Sequence, residues 1–426
     1  MSTKFITFLG TTDYKEVNYE INCKVYRTRF VQEAILNEIK LKENGKIYTY
    51  VIATEMSKKK NWDSLKTVID VSDIIVIDEN SKKDNQYLIE KDYWSIFGKI
   101  VNIVEDNDVV YFDITHSFRI MPIIATLVIN YIRVLKNAEV KAMYYGVFDN
   151  DIYNRDNNVL FPILNAAEMI DLIDFSNGLN EFITTGQAKL LKNITKNSDS
   201  KYDKLIESME NIGFMMASCR TNEIPKAVSE LKKIINNLKS DNSVINLYNP
   251  MLKKVEEKYS KFNDKTNNIY SIIMWCIENG LVQQALTILV EYYKYNISTY
   301  LNFTGDEKQL YYTVSNTLKA NRNNLLGSAI IKHKDKNSLE YKIYILDETM
   351  NKQGIDLKGL NNIFNELRRL RNDINHAGIL NKYDACNYRP ESLVNKIKFF
   401  KKFFRIMENL NEDKIQNQHT KISSIG

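Results

Sequence analysis

The sequence predicts an α/β domain followed by helices to the C-terminus. Three observations carry that expectation. Short β-branched and aromatic runs alternate with helix-like stretches over the first 165 residues, strand signals fade after Pro162, and breakers are scarce throughout. Gly is 14 and Pro is 5 of 426 residues, against roughly 7% and 5% in average globular chains. That scarcity disfavours a turn-rich all-β sandwich.

Residues 4–9 (KFITFL) form an apolar run ending at Gly10, and residues 17–25 suit a polar hairpin arm. Residues 30–41 carry apolar positions at helical spacing. Strand-like runs follow at 47–54 (IYTYVIAT), 74–78 (IIVID), 109–115 (VVYFDIT) and 140–148 (VKAMYYGVF). Helix-like stretches at 62–68, 93–104 and 117–135 lie between them. Alternation of this kind predicts a parallel sheet covered on both faces, a Rossmann-like domain over 1–165. A helical middle region is expected over 166–265, with exposed connectors near 192–201 and 236–249, and a helical C-terminal domain over 266–426. Residues 271–301 read as one or two helices. Leu360, Ile363, Phe364, Leu367, Leu370 and Ile374 mark the clearest amphipathic helix in the chain.

A formal charge of +5, from 58 Lys+Arg against 53 Asp+Glu, permits nucleic-acid contact without implying it. With 26 Tyr and 18 Phe, disorder is disfavoured. Cys23, Cys219, Cys276 and Cys386 are scattered, with no CxxC pair, so neither a zinc site nor a disulfide framework is expected. Such usage fits a reducing cytosol. The start MSTKFITFLG lacks the pattern of a secretory signal, and the longest nearly apolar run, 120–132, is short of the ~20 residues that span a bilayer. A soluble, cytoplasmic protein with no membrane partner is the expectation.

Three polar clusters are candidates for chemistry. Gly10, Thr11, Thr12 and Asp13 follow the first strand, where open parallel sheets bind ligands. Gly allows close backbone approach and Thr hydroxyls bond phosphate or ribose, although the tetrapeptide alone also reads as a plain turn. The run Asp113 to Arg119 (DITHSFR) opens a helix, with Thr115, His116, Ser117 and Arg119 as donors and Ser117 as an N-cap. A capped helix with an incidental His is the alternative. Thr54, at a third strand end, points the same way more weakly. No GxGxxG and no Walker motif occurs.

The third cluster, residues 368–378 (RRLRNDINHAG), lies near the end of the amphipathic helix, with Gly378 placed to end it. Basic groups there also complement the helix dipole. The functional reading is Arg-x4-His: Arg371 as a permanent cation and His376 as a group for proton transfer. Five residues on an ideal helix separate the two side chains by about 140° around the axis. Two helices meeting on a two-fold axis could share one cleft, so a catalytic motif here predicts a homodimer, with a higher homo-oligomer left open. Aromatics and bases at 396–405 (KIKFFKKFFR) fit RNA stacking, but Phe399, Phe400, Phe403 and Phe404 are better read as core. His333 and His419 are read as solvated.

Together, GTT after the first strand, DITHSFR after a later one and RNDINH near the C-terminus resemble the CARF–HEPN ribonucleases of type III CRISPR–Cas systems. The resemblance implies a CARF domain that dimerises and binds a cyclic oligoadenylate, and HEPN domains that cut single-stranded RNA without metal. It places Gly10, Thr11, Thr12, Asp13, Thr115, His116, Ser117 and Arg119 in the ligand region. Arg371 and His376 fall on the nuclease pair, with Asn372 orienting the cleft. It implies no cofactor beyond the cyclic oligoadenylate activator, for which the tetra-adenylate ring is favoured. A ligand-gated RNA-binding or regulatory module and a nucleotide-metabolising enzyme are the alternatives.

Overall fold

The structure is a computed structural model that describes residues 1–77, 90–116, 121–156, 158–192, 202–239, 248–262, 268–323, 335–379 and 384–423. The chain divides into two compact units, Met1–Ile173 and Asp174–Gly426. The first holds β1 (Thr3–Leu9), β2 (Val17–Ile21), β3 (Lys24–Thr28), α1 (Val31–Lys42), β4 (Ile47–Thr54), α2 (Glu55–Leu65) and β5 (Asp73–Ile77). It continues through α3 (Glu90–Ile103), β6 (Val109–Asp113), α4 (Met121–Leu135), β7 (Glu139–Gly146), α5 (Asn150–Arg155) and β8 (Leu160–Asn165). Helix α6 (Ala167–Thr185) carries the chain into the second unit.

The eight strands form one sheet in the order β3-β2-β8-β7-β6-β1-β4-β5. Central β1 is buried along its whole length, and its side chains alternate between the two faces. Phe5 and Leu9 pack with Ala34 and Ile35 of α1 and Leu65 of α2. Ile6 and Phe8 pack with Ile100 of α3 and Val128 and Ile132 of α4. Both faces are therefore covered, as a Rossmann-like domain requires. Lys4 interrupts this apolar strand and is compensated: its Nζ lies 2.9 Å from Asp108 and donates to the Ile103 carbonyl at 2.5 Å.

The sheet is mixed rather than all-parallel. β4, β1, β6 and β7 are parallel neighbours, but β8 runs antiparallel to β7. The β2–β3 hairpin then joins through β2, parallel to β8. Strand β8 (LFPILN) was not expected from the sequence. Helix α2 also begins earlier than the 62–68 stretch suggested, because Thr54 caps it, its hydroxyl accepting from the Ser57 N–H.

The second unit is helical: α7 (Lys189–Lys192), α8 (Asp203–Ala217), α9 (Ile224–Lys239), α10 (Asn249–Tyr259), α11 (Asn268–Glu278) and α12 (Val282–Leu301). Next come α13 (Glu307–Asn323), α14 (Leu339–Lys352), α15 (Leu357–Asn375), a 3-10 turn (Ala385–Tyr388), α16 (Pro390–Ile397) and α17 (Phe400–Ser423). One hydrophobic core runs from Phe175 to Met407, so the middle and C-terminal helices are joined by a shared interior. The stretch 271–301 resolves into two helices, α11 and α12. At the centre of the core, Tyr293 stacks on Phe364 with ring centroids 4.0 Å apart. Phe400, Phe403 and Phe404 are fully buried, whereas Phe399 is 53% exposed, so that one aromatic is not core. Gly186 has φ +73, and a Cβ there would lie 2.4 Å from the Trp275 ring. Among the described residues, no helix is long and apolar enough to cross a membrane.

Candidate functional site

Strand order sets the first site. From β1 the chain moves outward through β4 to β5 on one side, then returns to β6 and β7 on the other. The order thus reverses between β1 and β6, which are adjacent and parallel. Crevices beyond the carboxyl ends of strands at such switch points are where open α/β sheets take ligands. The loop after β1 begins at Gly10, and the loop after β6 carries Thr115 and His116. The two clusters singled out in sequence are therefore neighbours in space: a Cβ on Gly10 would stand 3.2 Å from the His116 Cβ.

The polar groups there have different fates. Thr115 is a keystone, its hydroxyl donating to buried Asp113 at 2.5 Å and accepting from the Gly146 N–H at 2.8 Å. Asp113 also accepts from the Thr7 hydroxyl at 2.5 Å and the Thr115 N–H at 2.9 Å. Burial drives the Asp113 carboxyl upward from its ordinary value, and these bonds oppose the shift. Thr54 is buried, its hydroxyl engaged in capping α2. The Thr11 and Thr12 side chains are exposed and make no hydrogen bond among the described residues. Asp13 is exposed, and Lys60, 2.8 Å away, holds its carboxyl below the usual range. Ser117 and Arg119 lie outside the described residues.

Two residues that sequence reasoning missed shape this loop. Asn61 of α2 donates from Nδ2 to the carbonyls of Gly10 (2.9 Å) and Thr12 (3.0 Å). The Tyr14 hydroxyl accepts from the Gly10 N–H at 2.8 Å, and its ring meets His116 edge-on with centroids 4.6 Å apart. The His116 Nε2 is buried and has no hydrogen-bond partner among the described residues. Burial lowers this imidazole from 6.5 to about 4. At neutral pH it is an uncharged group with one unmet polar atom, suited to a hydrogen bond rather than an ion pair.

The second site is the end of α15. Asp356 caps the start, accepting from the Gly359 N–H at 3.0 Å, and Leu360, Phe364, Leu367 and Leu370 bury one face. Near the end, buried Asp373 accepts from the Tyr388 hydroxyl at 2.5 Å. The C-cap is His376. The Ala377 and Gly378 N–H groups bond to the Ile374 and Asp373 carbonyls, both at 2.9 Å, with Ala377 at φ +55. This pattern is a Schellman motif with Ala377, not Gly378, as its first left-handed residue.

Arg371 is only 15% exposed, and its Nη2 lies 3.7 Å from Glu291 of α12. Lys294 bridges Glu291 (3.4 Å) and Glu307 (3.3 Å), so the guanidinium borders a chain of paired charges. Asn372 and His376 are exposed. The helix therefore holds Arg371 in a charged niche and presents His376 to solvent. This agrees with the wide angle between them.

Comparisons with known proteins find matches for parts of the chain. Residues 4–149 match the family model described as CRISPR system endoribonuclease Csx1, CARF domain. Residues 171–268 match that of CRISPR-associated protein MJ1674, second domain. CRISPR-associated protein MJ1674 of Methanocaldococcus jannaschii is 24% identical over 345 residues, which are 79% of this chain and 49% of that protein. The chain thus spans about half the length of this curated relative. Among solved structures, Enterococcus italicus Csm6 bound to cyclic hexa-2′-fluoro-hexa-dAMP matches with a TM-score of 0.35 at 11% identity. That match covers 96% of this chain and 98% of the other.

Proposed function

We propose that the chain is a CARF–HEPN ribonuclease of the type III CRISPR kind, switched on by a cyclic oligoadenylate, a reading supported by the CARF-domain match over residues 4–149. The ligand is read by the crevice between β1 and β6, and single-stranded RNA is cut at the end of α15. The observation that carries this reading is the meeting of the Gly10–Asp13 loop with His116 at the switch point of a domain matched to CARF. There the unmet Nε2 of His116 and the free hydroxyls of Thr11 and Thr12 serve ribose, phosphate or adenine.

The chemistry at α15 needs only what RNA and the chain provide. The RNA 2′-OH is the nucleophile; it attacks the adjacent phosphorus and the bond to the 5′-oxygen breaks. His376 accepts the 2′-OH proton or protonates the departing oxygen, and Arg371 stabilises charge gathering on the phosphate. The products are a 2′,3′-cyclic phosphate and a 5′-OH, and no step requires a metal. Asn372, beside Arg371, orients the cleft.

A homodimer supplies the second Arg and His. An exposed stripe on α4 supports it: Ile123, Leu127, Tyr131 and Val134 recur at helical spacing, from 47% to 88% exposed. A two-fold crevice suits an even ring, and the tetra-adenylate presents equivalent phosphates to both subunits. The test is cleavage of an unstructured RNA in EDTA, with cyclic tetra-adenylate, cyclic hexa-adenylate or neither. Wild-type protein is expected to cut only with the tetra-adenylate, and His376→Ala to be inactive while folding and dimerising normally. Undiminished cutting by His376→Ala removes the active site from α15, and activation by the hexa-adenylate alone corrects the ring size.

A further inference from the structure

Between α13 and α15 lies a cavity of about 590 Å³ that contains neither Arg371 nor His376. Its walls are cationic. Lys308 and Lys319 come from α13, Arg368 and Arg369 from α15, and none of the four is paired with a carboxylate among the described residues. Glu366, the one acidic lining residue among the described residues, is neutralised by Lys396 at 2.5 Å. On α13 the stripe Lys308, Tyr312, Asn316, Lys319 repeats at helical spacing, with Tyr312 72% exposed. Opposite it, Asn362 offers an exposed amide, and Asn365, whose Nδ2 is engaged by Ser315 and the Asn361 carbonyl, offers its amide oxygen. Arg368 stacks on the Tyr311 ring at 4.6 Å, and its Nε is buried without a partner.

The contacts fix the direction of this groove. Tyr311 meets Phe364 and Arg368, while Ser315 accepts from Asn361 (3.1 Å) and Asn365 (3.4 Å). Rising numbers on one helix thus face falling numbers on the other, and the Lys308 end lies toward the end of α15. Around α15, Asn365, Arg369 and His376 fall within about 40° of one another, and Arg369 precedes His376 by about 10 Å along the axis. The groove and the exposed imidazole share one side of the helix.

We propose that this groove is a binding subsite for single-stranded RNA, which tracks from Lys319 past Tyr312 and Arg369 toward His376. Cations spaced along a strand neutralise phosphates, an exposed aromatic stacks a base, and amides meet base edges without demanding one sequence. Only the destination of the strand rests on the nuclease reading above; the binding itself does not.

The experiment uses the full chain with His376→Ala as background, so that a fluorescently labelled oligo-uridylate or mixed-sequence RNA stays intact. Tyr312→Ala is expected to weaken binding about tenfold, the scale of one lost base stack. Lys319→Ala and Arg369→Ala should each lower the slope of log affinity against log salt by about 0.7, the amount for one phosphate contact on a single strand. Lys319→Arg and Arg369→Lys should restore the slope. These side chains are exposed, and urea midpoints equal to the parent verify folding. With His376 intact, the same variants should raise KM for activated cleavage more than they lower kcat. Parent-like affinity and slope in all three alanine variants overturn the proposal. So does an altered sedimentation coefficient with unaltered RNA binding, because the groove is then a contact between copies. RNA binding that depends on the groove in a protein that cuts no RNA supports the subsite and refutes the nuclease reading.

Discussion

At the strand-end crevice, Thr54 and Thr115 direct their hydroxyls into the protein, and among the described residues Thr11, Thr12 and one nitrogen of His116 are left unengaged. At the end of α15 the arrangement is reversed. Asp373 is held by Tyr388 and Arg371 by Glu291, while Asn372 and His376 face solvent at the helix terminus. A polar residue in a motif can therefore build a site without touching what the site binds. In the crevice the builders and the binders are intermixed along one short stretch, Asp113 to His116. On α15 they alternate around a helix, and periodicity separates them.

The two threonine pairs give the largest test of this division. Thr115→Val keeps shape but removes the hydroxyl shared by Asp113 and Gly146, leaving a buried N–H without a partner. Such losses cost about 1–3 kcal/mol each, and about 3 kcal/mol of stability is expected to go. Thr11→Val, on an exposed loop, should stay within about 0.5 kcal/mol of wild type. Calorimetry with cyclic tetra-adenylate should show the opposite ranking for affinity once Thr115→Val is studied below its melting temperature. Equal destabilisation by both substitutions would erase the distinction between builder and binder.

The same distinction explains what the sequence revealed. The strand ends were legible because β1 and β6 are largely apolar, β-branched and aromatic runs, and a run that stops at Gly10 or Asp113 announces its end. Helix α15 was legible because its buried apolar residues, Leu357, Leu360, Phe364, Leu367 and Leu370, recur every three or four residues. Strand β8 was not, since Leu160 and Leu164 are exposed while Phe161 and Ile163 are buried, which leaves apolar residues on both faces and no alternation. Pro162 strengthened the impression of a break. Its pairing with β2 joins segments about 140 residues apart, a contact that local pattern does not encode. Asn61 and Tyr14 were invisible for another reason: each acts through side-chain bonds to loop backbone, and such bonds have no period. The left-handed residue after α15 was assigned to Gly378 on propensity, and tertiary context gives it to Ala377 first.

A second, intermediate effect concerns acid. The His116 imidazole falls to about 4 in the folded protein from 6.5, so between those values the unfolded chain binds more protons. Stability from this group is therefore complete above pH 6.5 and is lost as pH falls toward 4, by at most about 3 kcal/mol. Asp113 acts in the opposite sense, because its raised carboxyl takes up a proton in the folded state before the unfolded one does. Wild-type protein sums the two. His116→Gln removes one, so its urea midpoint should fall less than that of wild type between pH 6.5 and 4. If the two midpoints fall in parallel, His116 is not the buried neutral group that its unmet nitrogen implies.

The smallest effect lies at Ala377, one residue beyond the imidazole of the second site. An L-residue in the left-handed region brings its Cβ against the following carbonyl, at about 1 kcal/mol, and glycine avoids that contact. Glycine also frees the unfolded chain, which returns part of the gain. Ala377→Gly should thus stabilise the helical unit by about 0.5 kcal/mol, seen as a small rise in its unfolding midpoint. The two Schellman bonds come from backbone N–H groups and survive the change, so His376 stays at the C-cap. Activated RNA cleavage should then keep its kcat within about twofold. A gain in stability coupled to a large loss of kcat would mean that the left-handed alanine helps to aim His376, and the helix end would then mix builders with binders as the crevice does.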